Sequence, residues 1–146
     1  MKFLLDTNIW LEIFLKQSRS FEAKSFLNKA PAGAIFLTDF SLYSIGISLF
    51  DSKQFETFLQ FAEDIMVRGM VGLIRNEMMD LEKMALVSKK FNLDFDDAYQ
   101  YVAAEKYDLA IVSFDSDFDR TERGRKTPGQ IIKKNYSLAK AKSILA

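Results

Sequence analysis

The chain opens on a short apolar run, Lys2-Phe3-Leu4-Leu5, that stops at Asp6 and passes directly into residues spaced as on one helix face: Ile9, Trp10, Ile13 and Phe14. So short a run bounded by a polar residue reads as a buried strand. The pattern recurs at 34–37, 70–74 and 109–113, each run separated from the last by longer segments of helical periodicity. Parallel strands need crossover connections, which are usually helices, so this alternation specifies an α/β fold. We expect a central, mostly parallel sheet of four or five strands with helices on both faces. Asp6 and Asp115 follow the first and last runs, so both would emerge at the carboxyl edge, where such sheets place their ligands.

The intervening segments give the remaining elements. Asp6-Thr7 can cap the first helix, and a second runs from about Ser20 with Phe21, Ala23, Phe26 and Leu27 inward. Ser41 is placed at the start of a third. Ser52 is expected to cap a fourth with Phe55, Phe58, Leu59, Ala62, Ile65 and Met66 on one face, stopped by Gly69. Asn76 is expected to cap a helix to about Phe91, and Asp94 another through Ala98, Tyr101, Val102 and Glu105. An irregular charged loop follows the last strand, then a helical turn after Pro128 and a final helix over Ser137–Ala146. With 146 residues, the chain reads as a single domain, 1–146, ending in a basic tail over 134–146.

Composition removes whole classes of chemistry. There is no cysteine, so disulfides, thiolate catalysis and cysteine-bound zinc are excluded. There is also no histidine, which excludes a Ser-His-Asp triad and the usual catalytic zinc sites. The N-terminal apolar run is cut by Asp6 and Glu12, and the longest uncharged stretch, Phe40–Phe50, has 11 residues. Neither is long enough to span a membrane, and a cytoplasmic location is expected.

The acids are the remaining chemistry. Asp6 suits a metal site, but it is equally suited to cap the helix after it. Asp97 lies three residues beyond Asp94, where an acid can close a capping box, yet Asp94, Asp96 and Asp97 are more acid than one cap needs. Their mutual repulsion is relieved if a cation is present. Asp115, Asp117 and Asp119 alternate after a strand in Ser113-Phe114-Asp115-Ser116-Asp117-Phe118-Asp119, without the glycine and distal glutamate of a calcium loop. Ordinary loop acidity explains them equally well. Carboxylates gathered without nitrogen or sulfur ligands suit a hard cation, Mg²⁺ or Mn²⁺.

Net charge is zero but unevenly distributed. From Arg120 to Ala146 there are eight basic residues and one acid, Glu122, so that segment is +7 and residues 1–119 are −7. Arg120, Arg123, Arg125 and Lys126 are the bases nearest Asp115 in sequence. They are candidates for holding an RNA backbone beside the acids, although a solvated Lys-rich surface explains the same count.

In order, these pieces resemble the PIN-domain nucleases, including the VapC-type toxins of prokaryotic toxin–antitoxin pairs, over residues 2 to about 133. Leu4-Leu5-Asp6-Thr7-Asn8 looks like the family's opening motif, Phe95-Asp96-Asp97-Ala98 like its Asp-Ala helix start, and Ile111–Phe118 like its later Thr/Ser-x-Asp-x-x-Phe motif. The resemblance implies hydrolysis of RNA phosphodiesters with Mg²⁺ or Mn²⁺, which activates water near neutral pH and neutralises charge on the phosphate. It implies Asp6, Asp97 and Asp115 as catalytic ligands, Asp117 or Asp119 as an auxiliary acid, and Ser113 and Asn8 as hydrogen-bonding supports. It also implies homodimers and a cognate antitoxin. The family's usual glutamate falls here on Ser44, and Asp39, five residues earlier, is the available substitute.

Three function classes follow. The first is a metal-dependent ribonuclease, toxin-like. The second is a catalytically weakened protein of the same fold that binds RNA or a protein partner. The third is another Mg²⁺ enzyme, such as a haloacid-dehalogenase-like phosphatase, disfavoured because Asn8 stands where that family has a second aspartate.

Overall fold

Asp6 ends the first strand by turning its side chain onto the chain that follows: its carboxylate accepts the Thr7 amide at 2.8 Å and caps a helix. In the computed structural model, which describes residues 1–134, β1 (Phe3–Leu5) thus leads into α1 (Thr7–Phe14) and α2 (Ser20–Lys29). Next come β2 (Ile35–Thr38), α3 (Asp39–Asp51), α4 (Phe55–Met66), β3 (Gly72–Ile74), α5 (Leu81–Phe91), α6 (Phe95–Tyr107) and β4 (Ala110–Val112). A 3₁₀ turn over Ser116–Arg120 follows β4, and residues 128–134 are helical.

The strands form one parallel sheet in the order β3-β2-β1-β4. Leu4 lies opposite Phe36 on one side and Ile111 on the other. Successive strand residues point to opposite faces, so Leu4 and Leu5 enter different cores. Leu5, Leu37 and Val112 pack with Ile9, Trp10, Ile45 and Phe61 of the helices α1, α3 and α4. Leu4 and Ile111 pack with Met84, Val87, Ala98 and Val102 of α5 and α6, and with Phe118. Gly72 in β3 is required by the ring across from it, since a Cβ there would lie 2.4 Å from the Phe36 ring.

The structure moves several expected boundaries. α3 starts at Asp39, not Ser41, because the Thr38 hydroxyl at the end of β2 accepts the Ser41 amide and caps the helix. Ser52 closes α3 rather than opening α4, its hydroxyl donating to the Ser48 and Leu49 carbonyls. Asn76 caps nothing: its amide groups are bonded to Tyr99, and a 3₁₀ turn, Met78–Asp80, precedes α5. On α4 the buried anchors are Phe61 and Ile65, while Phe55 and Leu59 are exposed beside Tyr43, Ile47 and Phe50 of α3. Phe61 lies 5.0 Å from Trp10 and 4.9 Å from Phe14, ring centre to ring centre, which decides the inward face. The helix expected over Ser137–Ala146 lies outside the described residues. Among the described residues, no helix is long and apolar enough to cross a membrane.

Phe118 is fully buried and fixes the turn after β4 to the α5–α6 core. Phe118→Ala is expected to cost about 3–5 kcal/mol in urea unfolding; a loss below about 1 kcal/mol would show that the turn is not anchored there.

Candidate functional site

From β1 the chain moves outward to β2 and β3, and β4 adds to the other side of β1. The strand order therefore reverses between β1 and β4, and a crevice opens beyond their carboxyl ends. Asp6 follows β1 and Asp115 lies three residues beyond the end of β4. Asp97, in the first turn of α6, faces the same opening. The pocket, of about 250 Å³, includes Asp6, Asn8, Ser44, Asp97, Gln100 and Asp115 in its lining. Three carboxylates far apart in sequence are thus brought together.

Asp6 is buried and saturated with donors. Its Oδ1 accepts from the Thr7 amide at 2.8 Å and from Gln100 Nε2 at 3.2 Å. Its Oδ2 accepts from the Ser113 hydroxyl at 2.7 Å and from Asn8 Nδ2 at 3.4 Å. Burial pushes this carboxyl above the usual range and the Asp115 charge adds to the rise, while the Ser113, Gln100 and Thr7 donors pull it back. Asn8 and Ser113 thus both hydrogen-bond the same Asp6 oxygen. Ser113 Oγ also accepts the Asp115 amide at 2.9 Å and Asn8 Nδ2 at 3.2 Å, while Asn8 Oδ1 accepts the Phe114 amide.

Asp97 differs. Among the described residues its carboxyl makes no hydrogen bond, and the Asp94 side chain does not cap α6, so the capping-box explanation is not realised. Burial raises its pKa to about 7, with the charges of Asp115, Asp96, Asp6 and Asp117 adding to the effect. Asp115 Oδ1 accepts the Asp117 amide at 2.8 Å, which starts the 3₁₀ turn and brings Asp117 inward. Carboxylate oxygens of Asp97, Asp115 and Asp117 lie within 4.8 Å of one another, an all-oxygen set that one hard cation can bridge. A second acidic group, Asp94, Asp96 and Asp97, is mostly exposed.

The other candidates separate. Asp119 pairs with Arg125 at 3.2 Å and is not part of the converging set. Asp39 does not line the pocket, because its Oδ1 is held by the Tyr99 hydroxyl at 2.6 Å and its own helix by the Phe40 amide. Ser44 does line it, and brings no charge. Arg120 is bonded to Asp117 and to the Phe91 and Asn92 carbonyls, and Arg123 to Asp108. Arg123, Arg125 and Lys126 line a groove of about 820 Å³ along the outer edge of β4, with Lys2 and Asp108. That groove shares no lining residue with the acid pocket, although Arg125 also donates to the Ser113 carbonyl at 3.2 Å and Arg120 pairs with Asp117 at 2.9 Å. The Lys126 segment bridges to Val112 and runs beside the edge strand.

From the sequence, Gln100 and Thr38 carry no site role, and Ser41 stands only as a helix start. The available signal was a polar side chain one turn after Asp97 on a helix whose Ala98, Tyr101 and Val102 are core residues. Arg19, whose guanidinium sits 3.9 Å from the centre of the Phe114 ring, gave no such signal. Its place over the Phe114 ring comes from tertiary packing at the start of α2.

The PIN domain family model matches residues 3–124. Among solved structures, a toxin–antitoxin complex from Klebsiella pneumoniae is similar, with 20% identity, TM-score 0.69, and coverage of 87% of this chain and 98% of that one. VapC20 from Mycobacterium tuberculosis, described as a Sarcin-Ricin loop cleaving toxin, shows 17% identity and TM-score 0.69 over 81% and 93% of the two chains. FitAcB from Neisseria gonorrhoeae shows 14% identity and TM-score 0.65 over 86% and 97%. No curated protein sequence matches significantly.

The Asp97 carboxyl has a consequence for stability. Its folded pKa, about 7, is above the unfolded value of 3.8, so the folded state holds the proton more tightly and stability falls as pH rises through that window. In the absence of divalent ions, Asp97→Asn is therefore expected to raise the thermal midpoint by roughly 2–5 °C at pH 8 and to change it little at pH 4. An equal shift at both pH values would contradict this origin.

Proposed function

Because the chain belongs to the PIN-domain family, we propose that it is a metal-dependent ribonuclease hydrolysing RNA phosphodiesters, the toxin of a toxin–antitoxin pair. The observation that carries this reading is the convergence of Asp6, Asp97 and Asp115 in one pocket at the carboxyl edge of the sheet. Asp97, Asp115 and Asp117 would hold Mg²⁺ or Mn²⁺, with Asp6 beside them as a fourth carboxylate. When bound, the cation supplies charge neutralisation at the phosphate and activation of water. The chain's own contribution is geometric: Ser113 and Asn8 orient Asp6, and the Asp115–Asp117 turn presents two oxygens together.

The likeness to a toxin–antitoxin complex supports an antitoxin partner, and a homodimer acting in the cytoplasm is part of the same reading. The likeness to a Sarcin-Ricin loop cleaving toxin supports RNA as substrate. The exposed apolar side chains of α3 and α4 favour an assembled form. RNA would be held by Lys126 with Arg123 and Arg125 in the groove along β4, and Arg120 would act by bracing Asp117. Asp119, paired with Arg125, would contribute to the site through that pair.

One observation favours the alternative of a weakened, RNA- or protein-binding relative: Ser44 places an uncharged side chain in the pocket where the family has glutamate. The two readings separate on one experiment with Mn²⁺ and diverse RNAs. Asp115→Asn is expected to abolish cleavage while RNA still binds, and Ser44→Glu to raise cleavage at least several-fold. Absence of cleavage by both wild type and Ser44→Glu would replace the ribonuclease reading with the binding protein.

A further inference from the structure

We propose that Gln100 is a positioning residue for the cation site, fixing the Asp6 carboxylate from the α6 side. The inference rests on the metal-site reading above and adds to it a residue and a route. Gln100 is 2% exposed and sits one helical turn after Asp97. Its Oε1 accepts the Thr38 hydroxyl at 2.8 Å, and its Nε2 donates to Ser41 Oγ at 2.6 Å and to Asp6 Oδ1 at 3.2 Å.

A primary amide in this setting has one workable orientation. The hydroxyls of Ser41 and Thr38 could meet either end of the amide, but turned over its oxygen would face the Asp6 carboxylate, which only accepts. The Thr38 hydroxyl is itself fixed, because its oxygen accepts the Ser41 amide at the start of α3. Ser41 Oγ is fixed in turn by the Thr7 hydroxyl at 2.9 Å. The bonds therefore run from the end of β2 through α6 to the end of β1, and each member is buried or partly buried.

The consequence concerns two acids at once. The other donors to Asp6 come from its own turn (Thr7 and Asn8) and from Ser113 after β4. Gln100 alone, among the described residues, ties Asp6 to the helix that carries Asp97. One rigid helix thus sets both carboxylates: Asp97 directly, and Asp6 through an amide three residues further on. With Ser44 contributing no charge, cation affinity depends on how the remaining carboxylates are held. A buried amide that cannot titrate holds Asp6 without adding a competing charge.

The test is a double-mutant cycle read as Mn²⁺ affinity by calorimetry. Gln100→Leu, close in volume, is expected to weaken Mn²⁺ binding roughly tenfold in the otherwise wild-type chain. In the Asp6→Ala background the same change is expected to alter affinity less than about twofold, because its effect travels through Asp6. No loss in the wild-type chain, or an equal loss in both backgrounds, overturns the proposal.

A second readout needs no metal. In ¹⁵N spectra of the metal-free protein the Gln100 side-chain amide is expected to be protected from exchange, and its signals to move in Asp6→Ala. Unprotected signals, or signals unmoved by Asp6→Ala, also overturn it. Wild type that binds no Mn²⁺ removes the metal reading instead, and the amide signals then decide the Gln100–Asp6 link alone.

Discussion

The hydrogen bond from the Ser113 hydroxyl to Asp6, 2.7 Å long, joins the ends of β1 and β4 where the strand order reverses. Burying a carboxylate is costly unless donors replace the water it loses. Here the donors come from the first turn of α1, from α6 and from the segment after β4, so the bonds that make Asp6 tolerable also assemble the pocket. The same serine takes the Asp115 amide, which sets the start of the turn that Phe118 then anchors. Fold and site therefore depend on one small buried network.

Within that network the acids are treated unequally. Asp6 is saturated with donors, Asp115 and Asp117 are organised by a backbone turn, and Asp97 is left without a hydrogen bond among the described residues and with a pKa of about 7. A buried carboxyl with a raised pKa beside Asp6, Asp96, Asp115 and Asp117 is a costly arrangement for folding alone, and such perturbed groups concentrate at functional sites. A divalent cation would relieve the repulsion that adds to the rise caused by burial. The uncharged Ser44 lowers the total negative charge of the pocket, which makes cation binding the link most exposed to failure in the functional account.

The parallel α/β architecture was legible because its signal is periodicity: short apolar runs ending in polar residues, separated by helical spacing. The acids at strand ends were legible for the same reason, since a carboxylate just past a buried strand has few places to go. Caps were read less well. Thr38 rather than Ser41 starts α3, and Ser52 closes a helix rather than opening one, because hydroxyls serve either end and tertiary bonds decide which. Gln100 was invisible to a search for charged ligands, as its role exists only once Thr38, Ser41 and Asp6 meet. The path of the basic segment was not legible for a related reason. Nearness of Arg123 and Lys126 to Asp115 in sequence gave no account of the strand-like path that carries them along the outer edge of β4.

The claim that this pocket is a cation site is tested most directly by a crystal grown at about pH 8 and soaked in Mn²⁺, with anomalous data collected at the manganese edge. The account predicts a peak bridging Asp97, Asp115 and Asp117 beside Asp6, absent from Asp97→Asn crystals treated identically. A map with no peak there, or with manganese only at the exposed Asp94–Asp96 group, would contradict it.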